Sequence, residues 1–124
     1  LVTLNISWNS IGEKGAQAIA HSLKQLTTLN ISLNSIGDQG AQAISEDLTH
    51  LTTLDIASKE SVEGTKVITD NLRQLATLNI QENNIGEKGA QFIADNLRQL
   101  TMLNIENNSV GDQGAQASLT TSVS

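Results

Sequence analysis

Leucine returns along this chain at a nearly constant spacing, and that regularity limits the fold more than any other feature. Rows begin at Leu1, Leu26, Leu51, Leu75 and Leu100, span 1–25, 26–50, 51–74, 75–99 and 100–124, and use all 124 residues. The second row, LTTLNISLNSIGDQGAQAISEDLTH, states the pattern most fully. Leucine or isoleucine stands at row positions 1, 4 and 6, asparagine at 9, isoleucine or valine at 11 and glycine at 12. Gly-Ala follows at 15 and 16, isoleucine at 19 and leucine at 23, and the fourth row agrees at every one of these places.

Within a row the period changes. Leu26, Leu29 and Ile31 stand among polar Thr28, Asn30 and Ser32, the alternation of a half-buried strand. From Gly40 onward Ala41, Ile44, Ser45 and Leu48 form the inward stripe of a helix of about three turns. The glycine at position 12 suits a tight exit from the strand, and the acid after it (Glu13, Asp38, Glu87, Asp112) falls in the first helical turn, where the helix dipole favours negative charge. Gly-Ala at 15 and 16 predicts a close approach of helix and sheet. A row then offers about seven inward apolar side chains, the large ones contributing about 1.5–3 kcal/mol each when fully buried. Only neighbouring rows can bury them. The stack that follows is α/β, a parallel sheet on one side and helices on the other. A doubly wound sheet would need longer, wholly apolar strands.

Composition agrees with a regular array and removes several functions. The chain has no proline and 2% aromatic residues. It has no cysteine, which excludes disulfides, thiol catalysis, iron–sulfur clusters and thiolate zinc sites. A formal net charge of −6 is the wrong sign for holding a nucleic-acid backbone, and no apolar run approaches the roughly 20 residues of a membrane span. No cofactor or metal is expected. His21 and His50 lie in different rows without a clustered acid or nucleophile, so no catalytic set is predicted and the chain is read as a non-enzyme. GEKGA and GDQGA superficially suggest a phosphate-cradling loop, but they recur at the repeat period and lack the lysine–serine/threonine ending of one.

The pattern L-x-x-L-x-I-x-x-N-x-I-G-x-x-G-A-x-x-I-x-x-x-L resembles the leucine-rich repeat, in the strand–helix form of the ribonuclease-inhibitor-like subfamily. The resemblance covers the whole chain. It implies a leucine-rich-repeat solenoid: a right-handed βα superhelix with a curved parallel sheet on the concave side, helices on the convex side, and protein recognition as its role. It also implies that the asparagines at position 9 (Asn9, Asn34, Asn83, Asn108) turn inward and satisfy loop backbone groups from row to row. The rows are shorter than those of the vertebrate inhibitor and carry asparagine where that protein often has cysteine, which looks more like bacterial or protist members.

The candidate binding residues are those whose identity the repeat does not demand. Position 3 reads Thr3, Thr28, Thr53, Thr77 and Met102; position 5 reads Asn5, Asn30, Asp55, Asn79 and Asn104; position 7 includes Ser7, Ser32, Gln81 and Glu106. Position 8 adds Trp8, Leu33 and Glu82, with Trp8 and Leu33 one strand apart as an apolar anchor. Trp8 has a second reading, as packing against a preceding repeat or as cover for the end. The near-uniform threonine and asparagine columns have one too, since a solvated face needs only polar residues. Asp55, Glu82 and Glu106 make the rim acidic, which suits a basic partner and salt-sensitive association.

Row three departs from the rule. Lys59 stands in the asparagine slot, no glycine follows the strand, and Val62 comes only two residues before Gly64. Its turn must be rebuilt, either as a binding bump at Lys59, Glu60 and Glu63 or through decay of the pattern. Row five loses the pattern after Gly114, with Ser118 and Ser122 in place of isoleucine and leucine. The motif starts at Leu1 with no polar cap, so a fragment of a longer repeat protein is expected, with self-association through the uncapped ends as one consequence. Location stays open: a cysteine-free chain is compatible with the cytoplasm, and with secretion or delivery to a host. Asn5, Asn30 and Asn107 begin N-x-S triplets that matter only in a eukaryotic secretory setting.

Overall fold

The computed structural model describes residues 2–7, 9–56, 62–81 and 85–105. Strands and helices alternate: β1 Thr3–Asn5, α1 Gly12–Ser22, β2 Thr28–Asn30, α2 Gly37–Asp47, β3 Thr53–Asp55, α3 Val62–Asn71, β4 Thr77–Asn79, α4 Gly86–Asn96 and β5 Met102–Asn104. The strands form one parallel sheet in sequence order, β1-β2-β3-β4-β5. Equivalent row positions pair directly, as in Thr3 with Thr28 and Leu29 with Leu54. Each helix packs on the helices of its neighbouring rows, so the molecule is an α/β solenoid of stacked strand–helix rows.

The strands are shorter than the alternation over positions 3 to 7 suggests, and in β1, β2 and β4 the asparagine of position 5 is the reason. Its Oδ1 accepts the position-7 amide two residues on: Ser7 to Asn5 at 3.3 Å, Ser32 to Asn30 at 3.1 Å and Gln81 to Asn79 at 3.0 Å. That side-chain turn takes the backbone out of the ladder after three residues. Position 6 keeps one link to the next row, Ile6 N–H to the Asn30 carbonyl and Ile31 N–H to that of Asp55, both at 2.9 Å.

The helices start earlier than Gly40 and its equivalents. Position 12 opens each regular helix, with φ of 67° at Gly12, 70° at Gly37 and 66° at Gly86. The preceding isoleucine is already helical and makes no side-chain cap. Instead, the Gly12 amide donates to the backbone carbonyl of Asn34 in the next row at 3.0 Å. A Cβ on Gly86 would meet nothing within 4 Å, so its requirement is conformational. Gly86→Ala is therefore expected to lower stability by about 1–2 kcal/mol, the cost of a left-handed residue with a Cβ, read as a shift in the urea midpoint. The glycine at position 15 differs from expectation. A Cβ on Gly40 would lie 2.9 Å from the Ile36 Cβ and 3.0 Å from the Ala16 Cβ. The tight contact is with its own turn and the preceding helix, not with the sheet.

The core lies between the layers and runs the length of the stack. In row two Leu26, Leu29, Ile31, Ile36, Ala41, Ile44 and Leu48 are all 0–1% exposed. Row four repeats this with Leu75, Leu78, Ile80, Ile85, Ala90, Ile93 and Leu97. Ser45 is buried in the helical stripe and donates its hydroxyl to the Gln42 carbonyl at 2.9 Å. The acids Glu13, Asp38 and Glu87 occupy first turns, as the dipole argument requires.

Row three keeps its helix. Counted back from Leu72, its Ile68, Thr69 and Gly64 stand where Ile44, Ser45 and Gly40 stand before Leu48, and all are buried. Thr69 even repeats the serine's bond, Oγ1 to the Lys66 carbonyl at 2.9 Å. The missing residue of this row thus falls before the helix. Lys59 and Glu60 lie outside the described residues, and Glu63 is described only as part of the helix α3.

The asparagine of position 9 is the polar spine of the array where it is described. Asn34 is fully buried. Its Oδ1 accepts the amides of Asn9 and Ile11 in row one at 2.8 and 3.2 Å. Its Nδ2 donates to the carbonyls of Ile6, Ile31 and Ser32 at 2.9–3.1 Å. One amide therefore joins two rows. No buried side-chain nitrogen or oxygen among the described residues lacks a partner. Asn83 and Asn108 lie outside the described residues.

Candidate protein-binding face

Parallel pairing in exact register stacks each row position into a column, one residue every ~4.8 Å across the strands. Columns 3 and 5 line a groove of about 460 Å³ on the sheet face away from the helices, with the leucines of column 4 beneath. Its walls run from Thr3 and Asn5 through Thr28, Asn30, Thr53, Asp55, Thr77 and Asn79 to Met102 and Asn104. The residues expected on the concave face at positions 3 and 5 are thus brought together.

The two columns are not equivalent. Asn5, Asn30 and Asn79 of column 5 are occupied by the fold, since their Oδ1 atoms hold the turns that end β1, β2 and β4. Asn79 also donates to Asp55 Oδ2 at 3.3 Å, and Asn104 to Gln81 Oε1 at 3.2 Å. Column 3 has no such task. Thr3 is exposed, Thr28, Thr53 and Thr77 are half-buried, and their hydroxyls make no hydrogen bond among the described residues. Met102 is 52% exposed at the end of the same column. The uniformity of column 5 has a structural cause, whereas that of column 3 has none in the hydrogen bonding.

Position 7 contributes less than its polarity suggests. Ser32 is only 7% exposed and donates its hydroxyl to Asn30 Oδ1 at 2.8 Å. Little of its side chain is left open to a partner. Ser7 is half-buried and makes the same bond to Asn5 at 3.2 Å. Gln81 is half-buried beside Asn104. At position 8, Leu33 is 38% exposed and holds a left-handed φ of 60°, which turns the chain out of the sheet. Trp8, Glu82 and Glu106 lie outside the described residues, and with them the Trp8–Leu33 pair and most of the acidic rim.

One column was not foreseen as structural. The threonines of position 2 donate their hydroxyls to the carbonyl one row back, Thr27 to Val2, Thr52 to Thr27 and Thr101 to Ala76, at 3.2–3.3 Å. Those carbonyls already accept two amides each from the next row, as Val2 does from Thr27 and Thr28. The signal was present as threonine next to threonine in TTL, but alternation alone assigns position 2 no role.

His21 and His50 are exposed, in rows one and two and away from the groove. Among the described residues no group of three or more His, Asp or Glu could hold a metal ion, and no helix is long and apolar enough to cross a membrane.

An open parallel sheet backed by one layer of helices, with an in-register polar groove, defines a repeat solenoid that presents a surface. Residues 1–20, 23–45, 72–94 and 96–117 match the Leucine Rich repeat family, and the chain belongs to that family. The matched stretches leave out 46–71, which hold most of the irregular third row. No curated protein matches the chain. Leucine-rich repeats generally mediate protein–protein interaction and are typically non-catalytic binding scaffolds.

Proposed function

We propose that the 124 residues form one repeat array of the ribonuclease-inhibitor-like type that binds a protein partner through its concave face and does no catalysis itself. The observation that supports this reading is the free column 3: Thr3, Thr28, Thr53 and Thr77 line the groove with hydroxyls that no described group engages. Column 5 frames the contact, and Leu33 extends it at the rim. Met102, at 52% exposed, offers an apolar contact at the far end. An excess of acid in the chain suits a basic partner surface, so complex formation is expected to weaken as salt rises.

The test follows from the difference between the columns. Arginine at Asn30 or Asn79 would remove the acceptor that ends a strand, so lost binding there could reflect lost structure. Thr28→Arg with Thr77→Arg places two large cations in the groove and breaks no hydrogen bond of the fold. Affinity capture is expected to retain a partner on the wild-type chain and lose it on this variant, with unchanged circular dichroism. Equal recovery with both would move the contact to the convex helices and overturn the concave reading. A structural or dimerisation spacer would leave no partner that depends on the groove, whereas in the reading as the substrate-recognition part of a larger effector enzyme the partner captured would be that enzyme's substrate.

A further inference from the structure

The groove is neutral except at one point. Among the described residues that line it, Asp55 alone has an acidic or basic side chain; the others are threonine, asparagine, leucine or methionine. Asp55 is half-buried in β3, the middle strand, in register between Asn30 and Asn79. Every other row has asparagine at this place, as Asn5, Asn30, Asn79 and Asn104. Across the rows Asp55 Oδ2 accepts Asn79 Nδ2 at 3.3 Å. That bond needs an oxygen acceptor and not a charge, and an asparagine side chain supplies one equally. Moving a carboxylate partly out of water is unfavourable, so the acid is a departure that this bond does not call for.

The shape of the groove limits what can lie over Asp55. Columns 3 and 5 are two residues apart along a strand, about 6.6 Å. A helix with its side chains is about 10 Å across and too wide to enter between them. Five strands at a spacing of about 4.8 Å make the groove roughly 19 Å long from β1 to β5, the reach of about six extended residues.

We propose that the partner enters this groove with an extended segment carrying a lysine or arginine near its middle, and that Asp55 is the residue that selects that cation. The inference rests on the concave reading above and narrows it. The segment's backbone meets the hydroxyls of Thr28, Thr53 and Thr77, which can both donate and accept. Its cation meets the Asp55 carboxylate in the half-buried middle of the groove, where salt screens a pair less than at an exposed rim. The threonines contribute affinity with little sequence preference, and the single charge sets register and specificity. A diffuse excess of acid would favour basic partners generally; one carboxylate in a neutral groove favours one cation at one place.

A random heptapeptide library displayed on phage is the probe. Peptides selected on the wild-type chain and no longer bound by Thr28→Arg with Thr77→Arg define the groove ligands. They are expected to share one lysine or arginine at a fixed place. A parallel selection on Asp55→Asn is expected to yield groove ligands without that preference. Asp55→Asn keeps an acceptor oxygen and installs the residue of the other four rows, so its circular dichroism and urea midpoint are expected to match wild type. In calorimetric titration a synthetic peptide selected on wild type is expected to bind Asp55→Asn about tenfold more weakly. Replacing its cation by norleucine is expected to weaken binding to wild type by a similar factor and to Asp55→Asn very little, the signature of a direct pair. Groove ligands that share no cation, or a cation preference that survives Asp55→Asn, would overturn this inference and leave the concave reading standing. A selection that yields no groove ligands would overturn both.

Discussion

Asn34→Ala is expected to be among the most damaging single substitutions in this chain, lowering unfolding free energy by about 3–4 kcal/mol. The side chain accepts two amides of row one and donates to three carbonyls, one of them in row one. Truncation orphans these groups in a site that is fully buried. An unsatisfied buried polar group costs about 1–3 kcal/mol, and partial rehydration near exposed Asn9 keeps the total below the simple sum. Urea denaturation followed by circular dichroism measures the loss. Asn9→Ala supplies the internal comparison. It removes the same chemical group at the same row position, but Asn9 is exposed and its oxygen accepts no hydrogen bond among the described residues, so about 1 kcal/mol or less is expected. Equal losses would mean that the amide acts within its own turn and does not join rows.

Leu54→Ala tests the apolar half of the same contact and is expected to cost about 2–5 kcal/mol. Leu54 is fully buried and lies in register between Leu29 and Leu78 in the middle strand. The cavity therefore opens at two row interfaces at once. Leu4→Ala makes the same chemical change in β1, where the leucine is only half-buried and, among the described residues, has a paired strand on one side. It is expected to cost roughly half as much, because in a quasi-one-dimensional array each row is stabilised by its nearest neighbours. Amide exchange adds a spatial reading: protection should fall on both sides of row three in Leu54→Ala and near row one alone in Leu4→Ala.

Much of this was legible in the residues. A leucine at positions 1 and 4 with isoleucine at 6 cannot be shielded by a row of 25 residues, so the stack and its parallel order follow from spacing and burial. The helical stripe Ala41, Ile44, Ser45 and Leu48 was readable for the same reason, and all four are buried. The irregular third row announced its own defect. Its helix was recoverable by counting back from Leu72, because helix packing depends on residue spacing and not on the turn that precedes it.

The candidate site was legible only as a face. Alternation placed columns 3, 5 and 7 on the polar side but weighted them alike. Pattern records which residues are polar and is silent on which hydrogen bonds they form. Tertiary structure separated them: among the described residues Asn5, Asn30 and Asn79 end β1, β2 and β4, Ser32 is covered, the position-2 threonines bridge carbonyls, and the position-3 threonines keep unengaged hydroxyls toward the groove. The sequence by itself determined the architecture, because periodic burial is a local property repeated row after row. Which polar side chains hold the fold and which are left to meet a partner was decided by the stacked structure, since an amide or hydroxyl acquires its role from donors and acceptors that lie a whole row away.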